Sequence, residues 1–378
     1  MDLPLTGLTV IEIGQALAGP LAGAVLADMG ADVIKVEKPD GGDDARIWGP
    51  PYGPDGKTSL YFHGQNRSKR SVTLDIKNPA DIAALHRLCE TADILIQNLR
   101  PGVVEECGIG PEAMLAAHPR LIYCSIWAFG YEGPLMMKPG FDPLLQAYGG
   151  MMSVTGQPDG PPSFAGASIN DKATGLFITI GALAALRWRD RTGKGCLVDG
   201  SLFETAAFWV ETHIAGHLAT GDIPKRHGTG GNLIVPYQVF ETADRPLCLA
   251  AGNDRLFARA ARVLGHPEWA EDPRFAASAG RVRNKAALIP LIAAAFVTRK
   301  RDEWLAALDA VGVPSGPVND IGELVASEQM AAVDMIGALP EGGPAVVQLP
   351  LSFNRRRPRP SRPAPRLGQH NREILGRD

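Results

Sequence analysis

Residues Leu8 to Glu37 read "LTVIEIGQALAGPLAGAVLADMGADVIKVE" and carry the main signal for the fold. An apolar run, Leu8 to Ile13, precedes a glycine turn and a segment with helical periodicity, and a second apolar run follows from Asp32 to Glu37. Apolar runs on both sides of a helix are typical of a β-α-β unit with parallel strands. The stretch therefore predicts an α/β protein whose ligands bind at the carboxyl ends of the strands.

The segments that follow continue the alternation of strand and helix. They read "SVTLDI" (71–76), "ADIAALHRLCETA" (80–92), "DILIQN" (93–98) and "RLIYCSI" (120–126). The pattern predicts a parallel sheet with helices on both faces. A helical stretch (202–220) and the glycine-rich "GDIPKRHGTGGN" (221–232) indicate a linker, and a second region follows with one strand and two helical patterns.

Composition limits the kinds of partner and compartment. The chain has 378 residues, 45% of them hydrophobic, and a formal net charge of -3, which gives no global attraction to nucleic acid or to anionic membranes. The five cysteines are widely spaced and lack a CxxC pair, so a reducing cytoplasm is expected. The first residues contain no basic region before a long apolar core, which predicts neither a signal peptide nor a membrane span.

The glycines of the first turn invite a nucleotide interpretation that the neighbouring residues oppose. Gly14 and Gly19 have the spacing of a P-loop, but Pro20 and Leu21 stand where Lys and Ser/Thr would bind phosphate and magnesium. "GQALAG" also lacks the dinucleotide fingerprint, and close packing of helix on strand explains the glycines equally well. The histidines of "HIAGH" (213–217) lack the Glu of a metalloprotease and a third ligand, so no metal site is predicted.

Asp171 stands at the start of a long apolar helical pattern. A carboxylate at this point accepts backbone N–H groups and lies at the positive end of the helix dipole, which favours its ionised form. Two interpretations remain open on these residues alone. Asp171 is either a helix cap with no chemical role or a nucleophile held in the field of the helix.

Several further stretches, taken in order with the opening one, carry a resemblance to a known family. They are "NRSKRSVTLDIK", "ADILIQNLRPG", "LIYCSIWAFGYEGP", "FDPLLQAYGG", "RHGTGGNLIVPYQVFETAD", "GVPSGPVNDIGEL" and "PAPRLGQHNREIL". Together they resemble the family III CoA-transferases, which include formyl-CoA and carnitine CoA-transferases, almost from end to end. "IVPYQVF" and "AAGNDRLF" look most similar to the branch of succinate:hydroxymethylglutarate CoA-transferase.

The resemblance implies a specific architecture. A Rossmann-like large domain with a parallel sheet would comprise residues 1–200 and be completed by 330–378, where "AVVQLPLSF" and "LGQH" return to strand and helix patterns. A linker (201–225) would lead to a smaller α+β domain (226–329). Two ring-shaped subunits would be threaded through each other as an interlocked homodimer.

The resemblance also implies a reaction. The family nucleophile lies in a G-x-x-x-x-D-x-x-x-G pattern, which here matches Gly166, Asp171 and Gly175. The enzyme would move CoA from an acyl-CoA thioester to a free carboxylic acid, such as a dicarboxylate, through aspartyl anhydride and aspartyl-CoA thioester intermediates. Coenzyme A would be a substrate, with no cofactor bound permanently.

Binding residues follow by the same resemblance. The CoA-binding positions are Leu17, Ala18, Lys38, Leu74, Asp75, Ile76, Lys77, Asn98, Leu99, Arg100 and Lys138. The acyl-site positions are Gln15, Ala16, Tyr61 and Asp142. Cationic side chains in these loops suit the CoA phosphates.

Departures from the family pattern define the alternatives. Leu17 replaces a glutamine of formyl-CoA transferases and "GTGG" replaces their run of four glycines, which argues against oxalate, while Glu106 stands where relatives often have Arg. The α-methylacyl-CoA racemases share the fold but carry a histidine where this chain has Phe141, just before Asp142. A non-catalytic CoA-binding or NAD-binding protein is the other alternative.

Overall fold

The computed structural model describes residues 3–231 and 233–377. These form two compact units: Met1–Met151 with Phe164–Thr220 and Glu328–Asp378, and Met152–Ser163 with Gly221–Ser327. The segment predicted as a linker (201–225) is mostly helical, and its residues up to Thr220 belong to the first unit. Asn232, the last residue of the glycine-rich break, lies outside the described residues.

The strands of the described residues are short. They are β1 (Thr9–Ile13), β2 (Asp32–Glu37), β3 (Arg70–Thr73), β4 (Ile94–Gln97), β5 (Ile122–Trp127), β6 (Leu197–Ser201), β7 (Tyr237–Phe240), β8 (Leu247–Ala250), β9 (Ser315–Pro317), β10 (Ile336–Ala338) and β11 (Ala345–Val347).

The α-helices range from four to 24 residues. They are α1 (Ala18–Asp28), α2 (Leu60–Asn66), α3 (Pro79–Cys89), α4 (Val103–Glu106), α5 (Pro111–Ala117), α6 (Asp142–Tyr148), α7 (Met151–Val154), α8 (Ile169–Thr192), α9 (Leu202–Trp209), α10 (Glu211–Thr220), α11 (Asp254–Val263), α12 (Ser278–Arg283), α13 (Lys285–Phe296), α14 (Arg301–Asp309), α15 (Ile321–Ala326), α16 (Glu328–Ala332) and α17 (Asn371–Leu375).

The first unit is built on a six-stranded sheet in the order β3-β2-β1-β4-β5-β6, in which every neighbouring pair is parallel. This confirms the predicted α/β class and parallel sheet. The strand order reverses direction between β1 and β4, which is the crevice where open sheets of this type bind ligands.

The two faces of the sheet have separate apolar cores. Side chains such as Val10 and Ile96 face a core shared with α1 and α8, whereas Ile11 and Leu95 face a core shared with α3 and α5. Successive side chains of a strand point to opposite faces, so alternating residues of one apolar run supply both cores. Because these strands are buried on both faces, their sequences lack the alternation of apolar and polar residues seen in half-exposed strands.

The end of the chain covers the edge strand β3. The amide of Ser71 donates to His370 Nδ1 at 3.0 Å, and the amide of Thr73 donates to Asn371 Oδ1 at 2.8 Å. The segment before it forms an antiparallel pair, β10 with β11, outside the parallel sheet. Covering an edge satisfies its backbone donors, which would otherwise offer a template for pairing with another chain.

The second unit contains an antiparallel sheet in the order β7-β8-β9. Its core is formed by strand residues such as Leu247 and Leu249 with the helix residues Phe257, Phe296 and Trp304, all of them buried. An antiparallel sheet packed with helices is an α+β arrangement.

Among the described residues, α8 is the helix whose length and apolar composition would suffice to cross a membrane. Its most apolar window is 44% buried inside the protein, against α1, β5, β6 and α9. A long core helix of a globular protein has the same composition.

Candidate active site

The loops after β1 and β4 are joined at the point where the strand order reverses. The amide of Gln15 donates to Asn98 Oδ1 at 2.7 Å, and Asn98 Nδ2 donates back to the carbonyl of Gln15 at 2.8 Å. This reciprocal pair fixes the backbone of the first turn at the carboxyl edge of the sheet. Asn98 thus acts on the turn, beyond the CoA contact that the resemblance assigned to it.

The next residue of the turn, Ala16, has a left-handed backbone with φ of 61°. This conformation is unfavourable for a residue with a Cβ, so neighbouring contacts must hold it. Asp43 does so, because its Oδ1 accepts the amide of Ala16 at 3.1 Å and that of Ala45 at 2.9 Å. The turn leading into α1 is therefore held from two loops.

A buried ion cluster lies beneath this turn. Lys35 Nζ contacts Glu12 at 2.9 Å and Asp43 at 3.0 Å, and it donates to the carbonyl of Gly14 at 2.7 Å. Lys69 contacts the other oxygen of Glu12 at 2.6 Å. Glu12, Lys35 and Lys69 are 0% exposed. Burial opposes the charge of Lys35, but Glu12 and Asp43 outweigh it and raise the pKa of Lys35.

The close approach of α8 to α1 depends on Gly175, one turn after Asp171. A Cβ at Gly175 would lie 2.6 Å from the carbonyl oxygen of Ala18, closer than real contacts allow. The two helix starts therefore lie side by side, with Asp171 near Leu17 and Ala18. The first amides of a helix have no acceptor within the helix, so the amides at the start of α1 can face a ligand.

Asp171 is not the cap of α8. The helix begins at Ile169, and Ser168 at the cap position has a left-handed backbone and makes no side-chain cap bond. The amides of Asn170 and Asp171 donate to Asp142 Oδ2, at 2.8 and 3.0 Å. The capping role considered for Asp171 therefore belongs to Asp142. The resemblance assigned Asp142 to the acyl site, whereas in the structure it is a buried carboxylate, 3% exposed, that caps a helix other than its own.

The expected electrostatics of Asp171 are also wrong in direction. Burial, and secondly the charge of Asp142, raise the pKa of Asp171 to about 7. The helix amides that would have favoured its ionised form already donate to Asp142. Burial and the nearby charge of Asp171 also raise the pKa of Tyr61.

Two adjoining cavities open at this edge. The first, about 380 Å³, is lined by Gln15, Ala16, Leu17, Ala18, Asp44, Trp48, Asn98, Leu99, Arg100, Pro101, Val103, Ile126, Trp127, Ala128, Pro139, Gly140, Phe141, Asp171 and Leu202. The second, about 520 Å³, is lined by Ile13, Gly14, Gln15, Val36, Glu37, Lys38, Pro39, Asp40, Asp43, Leu74, Asp75, Ile76, Lys77, Leu99 and Val103. They share Gln15, Leu99 and Val103 and so adjoin.

The structure brings most of the predicted site residues together. Lys38, which lines the second cavity, is exposed and forms an ion pair at 2.7 Å with Asp44, which lines the first. Lys138, Tyr61 and Asp142 line neither cavity. Lys138 lies over the ring of Phe129 at 5.7 Å, and the ring of Tyr61 lies 5.4 Å from that of Trp48, a lining residue.

Several residues at the site were not predicted from the sequence. Trp48, Trp127 and Phe141 give the first cavity aromatic walls, and Asp43 holds the backbone of Ala16, another lining residue. Single aromatic residues in loops carry no periodic signal. The acidic run "GGDDAR" (41–46), in the loop that follows β2, was a usable signal for Asp43 and Asp44, because that loop lies at the carboxyl end of a strand.

Within the ranges 3–231 and 233–377, no group of three or more His, Cys, Asp or Glu side chains is placed to hold a metal ion.

A family model described as CoA-transferase family III matches residues 5–371. The chain belongs to CoA-transferase family III. Among its relatives, the succinate–glutarate CoA-transferase of Agrobacterium fabrum is 38% identical and aligns over 98% of this chain and 95% of its own length. The acetyl-CoA:oxalate CoA-transferase of Acetobacter aceti is 38% identical over 91% of this chain and 89% of its own length.

A solved structure of a CAIB/BAIF family protein from Brucella suis supports the same fold for this family III CoA-transferase. It has a TM-score of 0.89 and 38% identity, and the match covers 100% of this chain and 99% of that one. The predicted family and the predicted class of enzyme, a CoA-transferase acting on an acyl-CoA and a carboxylic acid, are confirmed.

Proposed function

We propose that this enzyme transfers CoA between an acyl-CoA and a dicarboxylic acid, with Asp171 as the covalent nucleophile. One observation carries the proposal: Asp171 lines a cavity at the switch point of the sheet, beside the start of α1 and adjoining a second cavity lined by Lys38 and Lys77. The arrangement suits an extended ligand whose thioester reaches Asp171 while its nucleotide end lies over the second cavity.

The proposed steps balance without any other reactant. A carboxylate oxygen of Asp171 attacks the thioester carbonyl, and the carbon–sulfur bond breaks to give an acyl-aspartyl anhydride and CoA thiolate. The thiolate attacks the aspartyl carbonyl and releases the donor acid. The acceptor carboxylate then displaces the thiolate from the aspartyl thioester, and the thiolate attacks the acceptor carbonyl, which frees Asp171.

The start of α1 would stabilise the oxyanions of these steps. Leu17 and Ala18 line the cavity with Asp171, and their amides lie at the positive end of α1. Preorganised amides aimed at a developing negative charge lower the barrier more than flexible donors do. The contacts of Asn98 and Asp43 with the turn supply that preorganisation.

The names of the relatives guide the choice of acids. Succinate, glutarate and oxalate are each dicarboxylates, and the oxalate-using relative is as identical to this chain as the glutarate-using one. The departures at Leu17 and "GTGG" therefore do not remove oxalate from the set to be tested. Arg100 is the cation that lines the first cavity, and it would suit a distal carboxylate or a CoA phosphate.

CoA affinity should depend on the cations at the edge of the sheet. We expect Arg100→Ala to raise the Kd for CoA about 10- to 100-fold, as for the loss of a charge-assisted hydrogen bond. Lys38→Ala should have a smaller effect, about two- to fivefold, because Lys38 must first leave Asp44. Isothermal titration calorimetry measures the Kd for CoA of both variants.

The matched control is Lys194→Ala, an exposed lysine beyond the far end of α8 and outside both cavities. Its affinity for CoA should equal that of the unaltered enzyme. Unchanged affinity in both the Arg100 and Lys38 variants would show that the nucleotide end lies elsewhere.

Transfer and racemisation can be separated in one incubation. Phe141 lines the cavity with an apolar ring where racemases carry a histidine, so the second base for exchange at the α-carbon is missing. In deuterated water, a 2-methylacyl-CoA should gain no label faster than the control without enzyme. CoA should move to one or more acids of a panel that includes succinate, glutarate and oxalate, as followed by mass spectrometry.

Label uptake without acid-dependent exchange of CoA would make the enzyme a racemase. Binding of CoA with neither reaction, over the whole panel of acids and several donors, would instead support a non-catalytic role.

An interlocked homodimer is part of the proposal. Apolar side chains on α8 and on α9 and α10 are exposed in the single chain, among them Phe177, Ile180, Phe208 and Leu218. Patches of this kind on a soluble protein commonly mark interfaces. A cytoplasmic location is supported by the five cysteines, which are all free.

A further inference from the structure

Two side chains of α6, one turn apart, hold both ends of the segment that leads into α8. Asp142 Oδ2 accepts the amides of Asn170 and Asp171 at 2.8 and 3.0 Å. Gln146 Oε1 accepts the amide of Ala165 at 2.8 Å, and its Nε2 donates to the carbonyl of Ala165 at 3.2 Å. Gln146 Nε2 also donates to Asp142 Oδ1 at 2.5 Å, which joins the two into one clamp.

This clamp replaces a cap that the helix could have made for itself. Ser168 is of a residue type that commonly caps helices, yet its left-handed backbone leaves its hydroxyl without a cap bond. The cap comes instead from Asp142, whose carboxylate adds a second negative charge beside Asp171. Asp142 Oδ1 also accepts from Gln146 Nε2, which the NH2 group of an amide could not do, so the carboxylate satisfies three donors and places its charge beside Asp171.

We propose that Asp142 is a positioning residue that caps the first turn of α8 from α6 and so sets both the orientation and the charge environment of Asp171. The inference rests on the proposed nucleophilic role of Asp171. A cap supplied by a separate helix ties the nucleophile to the wall of the cavity, since Phe141 and Gly140 line that wall directly before Asp142. A carboxylate that is more basic is also a stronger nucleophile once it is ionised.

Charged and titratable groups on the elements packed against α8 have other partners. On β6 and α9, Asp199 accepts from Trp127 Nε1 and Glu204 accepts from the Ser201 hydroxyl. On α1, Asp28 pairs with Arg67. Burial and the charge of Asp171 raise the pKa of Tyr61 on α2. Burial and the charge of Asp142 raise the pKa of Asp171 itself.

The sign of the pH dependence follows from these groups. Asp171 attacks as the carboxylate, and burial and Asp142 raise its pKa to about 7, so the rate should rise as the pH increases through about 7. Asp142→Asn keeps an acceptor oxygen for the two amides and removes the charge, and it also loses the bond from Gln146 Nε2. The pKa of Asp171 should then fall, and the acid limb of the rate should move down by about one pH unit.

Asp142→Ala removes the cap as well as the charge. We expect the rate to fall about 10- to 100-fold even at high pH, where Asp171 is ionised in either protein, because its first turn is no longer held. Much of that loss should be absent in Asp142→Asn, which therefore separates position from charge.

The measurement is single-turnover formation of the covalent adduct on Asp171, from about pH 5 to pH 9. The enzyme is mixed with acyl-CoA, quenched and treated with hydroxylamine, and the hydroxamate is quantified on the peptide that contains Asp171. The matched control is Asp320→Ala, which removes the side-chain cap of the exposed helix α15 in the second unit. Its rate and its acid limb should equal those of the unaltered enzyme.

The outcomes are distinguishable. If an adduct forms on Asp171 and the acid limb of Asp142→Asn equals that of the unaltered enzyme, this inference is overturned, while the nucleophilic role of Asp171 stands. Transfer of CoA without any adduct on that peptide would overturn the nucleophilic role, and this inference with it. If Asp142→Ala does not fold, Asp142→Asn decides the question alone.

Discussion

Asp171→Ala is expected to reduce CoA transfer by at least about 10⁴-fold while the protein remains folded and still binds CoA. Removal of a covalent nucleophile eliminates the anhydride and thioester intermediates, and losses of this order are typical for such groups. Stability should not suffer at neutral pH, because burial and Asp142 raise the pKa of Asp171, so its ionised form is held at a cost in free energy. Steady-state transfer and calorimetry with CoA measure the two properties.

The same helix offers a matched control. Asp190 is exposed near the other end of α8, and Asp190→Ala should transfer CoA as fast as the unaltered enzyme. If Asp171→Ala retained a tenth or more of the activity, another group would have to be the nucleophile. A variant that had lost CoA binding would instead indicate that Asp171 supports the shape of the cavity.

Glu12→Ala is expected to lower the free energy of unfolding by about 3–5 kcal/mol, the usual effect of removing one partner from a buried ion pair. Glu12 is fully buried and contacts both Lys35 and Lys69, so its removal leaves two buried cations short of a counter-charge. Lys69 should respond most, because burial already lowers its pKa to about 8 and Glu12 is the charge that chiefly opposes this. Urea denaturation followed by circular dichroism measures the change.

An exposed pair serves as the comparison. Arg359 and Asp334 contact each other at 2.5 Å with both side chains largely in solvent, and Arg359→Ala should change stability by less than about 1 kcal/mol. Equal small effects for Glu12→Ala and Arg359→Ala would mean that the cluster under the first turn does not stabilise the fold.

Much of the sheet could be predicted from local pattern. The run Asp32 to Glu37 coincides with β2, and the first strand begins one residue later than expected, at Thr9. β3 ends earlier than its apolar pattern, at Thr73, because its partner β2 ends at Glu37, and the residues after it line the second cavity. The end of a strand depends on its neighbour, which periodicity along one segment cannot reveal.

The candidate site divides in the same way. The resemblance gave every candidate binding residue, and those in the loops after β1, β2, β3 and β4 line the two cavities, since parallel strands bring their carboxyl ends to one edge. Lys138, Tyr61 and Asp142 line neither cavity. They come from segments whose positions depend on long-range packing.

The α/β class, the family and the position of Asp171 at the start of a long helix could all be predicted from motifs whose residues lie close together in the chain. The surroundings of that aspartate depend on contacts between distant segments. Asp142 lies 29 residues before Asp171, on another helix, and its carboxylate takes the amides that a local cap would have used. Burial, and secondly the charge of Asp142, raise the pKa of Asp171, where the local pattern predicted the opposite.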